Sequence, residues 1–172
     1  MWDFFQTVRH RHSVRRYQPD VAIEPEALHG VLEMALAAPS AGDLQAYHLV
    51  VVRDDGLRAK LAEASGESFL TEAPVNIVVC ADPERSAEHF GERGRELFAL
   101  QDATIAATYI QLAAVAAELG SAWVGGFSQE RIAGILEIPG HLQPVAIVAL
   151  GYPAEIPEPT PRRKLKDLVT YK

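Results

Sequence analysis

The sequence predicts a mixed α and β fold in a single domain covering residues 1–172. Three observations predict it. Short apolar runs alternate with helix-length amphipathic segments, and neither a repeat nor a linker interrupts them. Two of the runs, "AYHLVVV" and "APVNIVVCAD", are dense in β-branched residues, as strands buried in a sheet are. The long segment "LFALQDATIAATYIQLAAVAAELG" is apolar nearly all round, which predicts a helix covered on every side, by its own sheet and by a partner subunit.

In chain order, a first helix is expected over residues 2–9 and a second over "EPEALHGVLEMALAAP". In the second, Leu28, Val31, Leu32, Ala35 and Leu36 share a face, Pro25 suits the first turn and Pro39 ends the helix. "PSAGDLQ" is a polar loop, followed by the strand "AYHLVVV" and a short helix "DGLRAKLAEAS". After the strand "APVNIVVCAD", residues 83–94 are charged and irregular and read as a mobile helix or lid. The long apolar helix then runs to Gly120, expected as its C-cap. "SAWVGGF" is a third strand, "SQERIAGILEIPG" a helix capped by Ser128, and "QPVAIVALGYP" a fourth strand. The tail, residues 153–172, is Pro-rich, then basic, and reads as extended.

Composition narrows the function. With 16 Lys+Arg against 23 Asp+Glu the net charge is −7, which argues against a general nucleic-acid binder. The N-terminus lacks the features of a secretory signal, and no apolar run has spanning length, so a soluble cytoplasmic protein is expected, away from membranes. A lone cysteine, Cys80, excludes a disulfide framework and reads as a small core residue. The six histidines show no metal-binding spacing, so no metal site is expected.

Against this acidic background, "RHRHSVRRYQPD" packs four arginines (Arg9, Arg11, Arg15, Arg16) and two histidines (His10, His12) into one short stretch. Arg11 and Arg15 can fork onto phosphate oxygens and Ser13 can donate a hydroxyl; the bland alternative is a solvated basic turn. A second cluster, Arg162, Arg163 and Lys164, lies near the other end of the chain. "APSAGDLQAYH" places Ser40, Asp43 and Gln45 in a loop that either merely connects or meets the polar edge of a planar heterocycle. The glycines of "WVGGF" are either a tight turn or a place where backbone N–H groups approach a flat ligand. "GERGRE" follows no strand and is no nucleotide fingerprint.

In this order, "RHSVR", "APSAGDLQ", "EAPVNIVV", "QDATIAATYIQLAAVAAELG", "WVGGF" and "RRKLKDLV" resemble the FMN-dependent nitroreductase family, in a compact form. The resemblance spans nearly the whole chain. It implies an α+β fold with a central, mostly antiparallel sheet flanked by helices, and an intertwined homodimer with two FMN sites at the subunit interface. It implies that Arg11, His12, Ser13 and Arg15 hold the FMN phosphate and the flavin's pyrimidine side, with Arg15 stabilising charge. Pro39, Ser40, Ala41, Asp43 and Gln45 belong to the loop reaching the flavin from the other subunit. Gly125 and Gly126 would bring N–H groups to the flavin, and Arg162 with Arg163 or Lys164 would close on the phosphate. Two positions depart from the pattern: Asp43 stands where Asn is usual, and Glu67 where Gln is frequent. Each exchanges an amide for a carboxylate that, when ionised, only accepts.

The activity implied is an NAD(P)H-using, ping-pong oxidoreductase whose acceptor is a nitroaromatic, a quinone or a similar electron-poor small molecule. A flavin store or sensor without turnover, or a flavin-fragmenting or dehalogenating relative, stay open as alternatives.

Overall fold

A computed structural model describes residues 3–172, so Trp2 of the expected first helix lies outside the described residues. Helix α1 spans Phe4–His10 and starts on Asp3, which with Gln6 forms a reciprocal capping box. Helix α2, Pro25–Leu36, opens on its proline as expected and stops short of Pro39. The strands are β1 (Tyr47–Val52), β2 (Val75–Ala81), β3 (Gly120–Val124) and β4 (Gln143–Gly151). All neighbours are antiparallel, in the order β1-β2-β4-β3. Between them lie α3 (Asp55–Ser65), the short α4 (Phe69–Glu72), α5 (Pro83–Arg93), α6 (Ala99–Ala116) and α7 (Gln129–Leu136). Ser128 caps α7 through its side chain, as expected.

Helices cover both faces of the sheet. On one, Ile77, Val79, Val148 and Leu150 pack against Leu28, Val31 and Ala35 of α2 and Ala103, Ala107, Ile110 and Ala114 of α6. On the other, Val78, Cys80, Ile147 and Ala149 meet Leu61 of α3, Phe69 and Leu70 of α4 and Ile132 of α7. Every residue of β2 is therefore buried, which explains a run that is apolar but for Asn76, whose amide donates to the Leu70 carbonyl. Cys80 is fully buried, and burial pushes its thiol up to about 12. None of the described helices is long and apolar enough to cross a membrane.

Residues 83–94 take the helical form expected of them: α5 is capped by Asp82 and broken at Gly91 (φ 60°, ψ −144°), and a π-helical turn, Gly94–Phe98, leads into α6. One expectation is corrected. Gly120 is no C-cap. Helix α6 stops at Ala116, Glu118 takes the left-handed conformation (φ 62°), and Gly120 opens β3 opposite Gly151. Within one protomer α6 is covered on one side, which leaves the other for the partner subunit that its all-round apolarity leads one to expect. Its small residues face the sheet, while Leu100 is 46% exposed and Ile105, Tyr109, Leu112 and Val115 are only half-buried.

Candidate functional site

The basic turn is fixed by the chain that follows it. Ser13 bridges to Ser121 in parallel, and Val14 N–H donates to the Ser121 carbonyl at 2.9 Å. Tyr17 pairs with Pro153, Gln18 N–H donates to the Tyr152 carbonyl, and Ala154 N–H donates back to that of Arg16. The paired glycines Gly120 and Gly151 make the notch for this segment. A Cβ on Gly120 would sit 2.9 Å from Val14, and one on Gly151 would sit 2.7 Å from both Tyr17 and Pro74. Buried Tyr17 donates its hydroxyl to the Val14 carbonyl at 2.7 Å, and burial pushes its phenol far up.

This anchoring sorts the arginines. Arg16 faces Glu72 in an ion pair at 3.3 Å and is spent. Arg11, His12 and Ser13 are half-buried, and neither the Arg11 guanidinium nor the Ser13 hydroxyl has a partner among the described residues. Arg15 donates its backbone N–H to Glu155 at 2.9 Å and holds its guanidinium 6.0 Å from the Phe69 ring. That contact brings Arg15 beside the turn carrying half-buried Glu67.

Gly125 and Gly126 continue β3, the edge strand on which Ser13 rests. Both are exposed, and neither has a left-handed φ. A Cβ on Gly126 would meet nothing within 4 Å. Nothing inside the protomer therefore requires glycine at Gly126, which suits close approach by something from outside. Unspent cationic and hydroxyl donors beside such a strand end fit a phosphate-bearing planar ligand such as FMN.

The second part is the loop at residues 39–46. Gly42, Asp43 and Gln45 all have positive φ (57°, 56° and 49°), a costly conformation away from glycine. Asp102 of α6, 2% exposed, holds both ends: its carboxylate accepts from Ala41 N–H at 2.9 Å and Ala46 N–H at 3.3 Å. Ser40 Oγ accepts from Gln45 N–H, and the Gln45 amide donates to the Leu36 carbonyl. The Asp43 carboxylate is exposed and has no partner among the described residues. Pro39, Ser40 and Ala41 wall an open cavity of about 620 Å³ together with Phe98, Asp102 and Ile105.

The third expected group stays apart. Residues 158–172 are all exposed, interrupted only by a 3-10 turn at Leu165–Asp167. Arg162 donates to the carbonyls of Thr160 and Pro161 and Arg163 to that of Asp167, so these bonds stay within the tail, where Lys164 also lies exposed. The reading of the sequence missed Asp102, Arg85 and Glu155. Only Asp102 carried a signal: it is the one carboxylate within the apolar α6.

The sequence profile of the Nitroreductase family matches residues 8–72 and 65–152. The chain belongs to the nitroreductase family. A relative in Thermus thermophilus named NADH dehydrogenase is 36% identical to this nitroreductase-family chain, covering 94% of it and 92% of the relative. An FMN reductase (NADPH) of Bacillus subtilis is 28% identical, covering 91% of the chain and 68% of the relative. Among solved structures, a nitroreductase family protein from Streptococcus pneumoniae superposes with a TM-score of 0.90 at 21% identity, covering 99% of this chain and 100% of the other. That likeness shows the fold: α+β, with helices on both faces of an antiparallel sheet.

Proposed function

We propose that this chain is an FMN-dependent oxidoreductase that takes reducing equivalents from NAD(P)H and delivers them to a small electron-poor acceptor, such as a quinone or nitroaromatic, in a ping-pong cycle. The observation that carries the reading is the half-buried turn at Arg11, His12 and Ser13, with donors unspent inside the protomer and anchored to the strand that ends in Gly125 and Gly126. Bound FMN supplies the hydride chemistry, accepting at one face and donating from it. Arg11 and Ser13 bind its phosphate, and Arg15 offers positive charge on the Phe69 and Glu67 side. The N–H groups of Gly125 and Gly126 face the ring edge, with open space at Gly126 and the Trp123 side chain beside Gly125. The names of the relatives in Thermus and Bacillus support the nicotinamide and flavin parts of this reading. An absorbance spectrum of the purified protein, reconstituted with FMN and desalted, tests the cofactor: a retained flavin band is expected, and a colourless protein contradicts it.

The working unit in this reading is a homodimer, in which the loop at residues 39–45 and the basic tail at residues 162–164 complete the partner's site. The uncovered side of α6 supports it, as do Phe4 and Phe5 (69% and 70% exposed) and Leu36 (58%). Surfaces of this kind mark interfaces. Sedimentation at low micromolar concentration is expected to give a dimer with no folded monomer; a stable folded monomer refutes it.

Asp43 then faces its partner's flavin with a carboxylate where an amide is usual. Negative charge there opposes electron uptake by the ring, so Asp43→Asn is expected to raise the bound flavin's reduction potential by on the order of tens of millivolts. Asparagine also tolerates the left-handed backbone at this position. Potentiometric titration of both proteins decides it, and an unchanged or lower potential in the variant removes Asp43 from the flavin's edge.

A further inference from the structure

From outside the loop, Asp102 ties down only its two ends, at Ala41 and Ala46. The middle is held by α5. Arg85 Nε donates to the Leu44 carbonyl at 2.5 Å. The Phe90 ring lies over Gly42, where a Cβ would stand 2.9 Å from its Cζ atom. Phe90 is itself braced edge-to-face by Phe98 (centroids 5.2 Å apart) and His89 (4.8 Å), while the Arg93 guanidinium lies 5.5 Å from the Phe98 ring. Two glycines give α5 this reach. Gly91 turns the chain back through a backbone conformation open essentially to glycine alone, and Gly94 lets it return tightly against the Ser86 carbonyl, where any Cβ would collide. The result is a helical hairpin whose apex rests on a loop with three left-handed residues.

We propose that Arg85 and Phe90 are positioning residues: the α5 hairpin grips the loop at Gly42 and Leu44, clamps the left-handed Gly42–Asp43 backbone between them and thereby sets how this loop meets the cofactor. The proposal rests on the reading of that loop as a flavin-contacting element. Left-handed non-glycine residues persist only where surroundings over-determine them, and for Asp43 those surroundings outside its own loop are the two α5 contacts. Neither side chain needs to touch the cofactor; each acts through the loop.

FMN alone is the probe, titrated by fluorescence into parent, Phe90→Leu, Phe90→Ala and Arg85→Gln proteins, with a thermal melt of each. Phe90→Leu fills the space without the ring contacts, and Arg85→Gln removes the guanidinium from a largely exposed site. Each is expected to fold, to bind FMN about two- to tenfold more weakly, the scale of losing an aromatic contact or one hydrogen bond, and to shift the visible band of the bound flavin. Phe90→Ala should do so at least as strongly as Phe90→Leu; if it does not fold, the other two decide. Variants that bind FMN with the parent's affinity and spectrum, whatever their melting temperature, overturn the clamp while leaving the flavin site standing. A parent protein that takes up no FMN overturns the site reading and the clamp with it.

Discussion

Asp102→Ala is expected to lower the melting temperature by roughly 5–15 °C, the largest single loss among the substitutions considered. The carboxylate accepts from two backbone N–H groups at the ends of one loop, Ala41 and Ala46, and the residue is 2% exposed. Removing it strands both donors. Each unsatisfied buried donor costs about 1–3 kcal/mol, and a chain of this size loses about 2–4 °C per kcal/mol. Asp102→Asn keeps one acceptor and should lose less. Thermal unfolding followed by circular dichroism measures both, and an alanine variant melting within 2 °C of the parent would show that water replaces the carboxylate for no more than about 1 kcal/mol.

Arg11→Ala is expected to weaken FMN binding by about ten- to a hundredfold, the loss of one charge-assisted hydrogen bond to phosphate. Arg16→Ala is the control. Both lie in the same basic stretch, but Arg16 is already engaged by Glu72 at 3.3 Å, whereas the Arg11 guanidinium has no acceptor among the described residues. A charge-run account of the stretch predicts equal losses; the anchored geometry predicts a loss at Arg11 and little change at Arg16. Equilibrium dialysis against FMN separates the two, and equal affinities for parent and Arg11→Ala remove Arg11 from the phosphate.

What was legible in the sequence follows from what each pattern can mean. A strand covered on both faces leaves an apolar run with no other use, so β2 was readable, and helix α3 over Asp55–Ser65 coincided with its expected segment. Gly120 was misread because a glycine after a helix serves equally as a left-handed cap or as a place for another chain to press close; here Val14 presses on it. The all-round apolarity of α6 was legible as a helix with more to cover than its own sheet, since apolar residues point both to the sheet and away from it. Within the site, the basic turn and the glycine pair carried local signals. Of the loop's supports, Asp102 stood out as a lone carboxylate in an apolar helix, but the contact that each support makes had no local signal. Asp102 reaches Ala41 across 61 positions and Arg85 reaches Leu44 across 41, and each partner is a backbone group that leaves no trace in residue type. Arg162 and Arg163 bond within the tail, so the single protomer does not bring them onto the basic turn, and their part in the site belongs to the proposed dimer.

The central claim, that this chain passes electrons from a nicotinamide to an acceptor through FMN, is tested most directly by mixing the FMN-loaded protein with NADH or NADPH in the absence of oxygen. The account predicts that the yellow band bleaches with at least one of the two and returns when a quinone such as menadione is added. A loaded, folded protein whose band survives both nucleotides would contradict it, leaving a protein that holds flavin without turning it over.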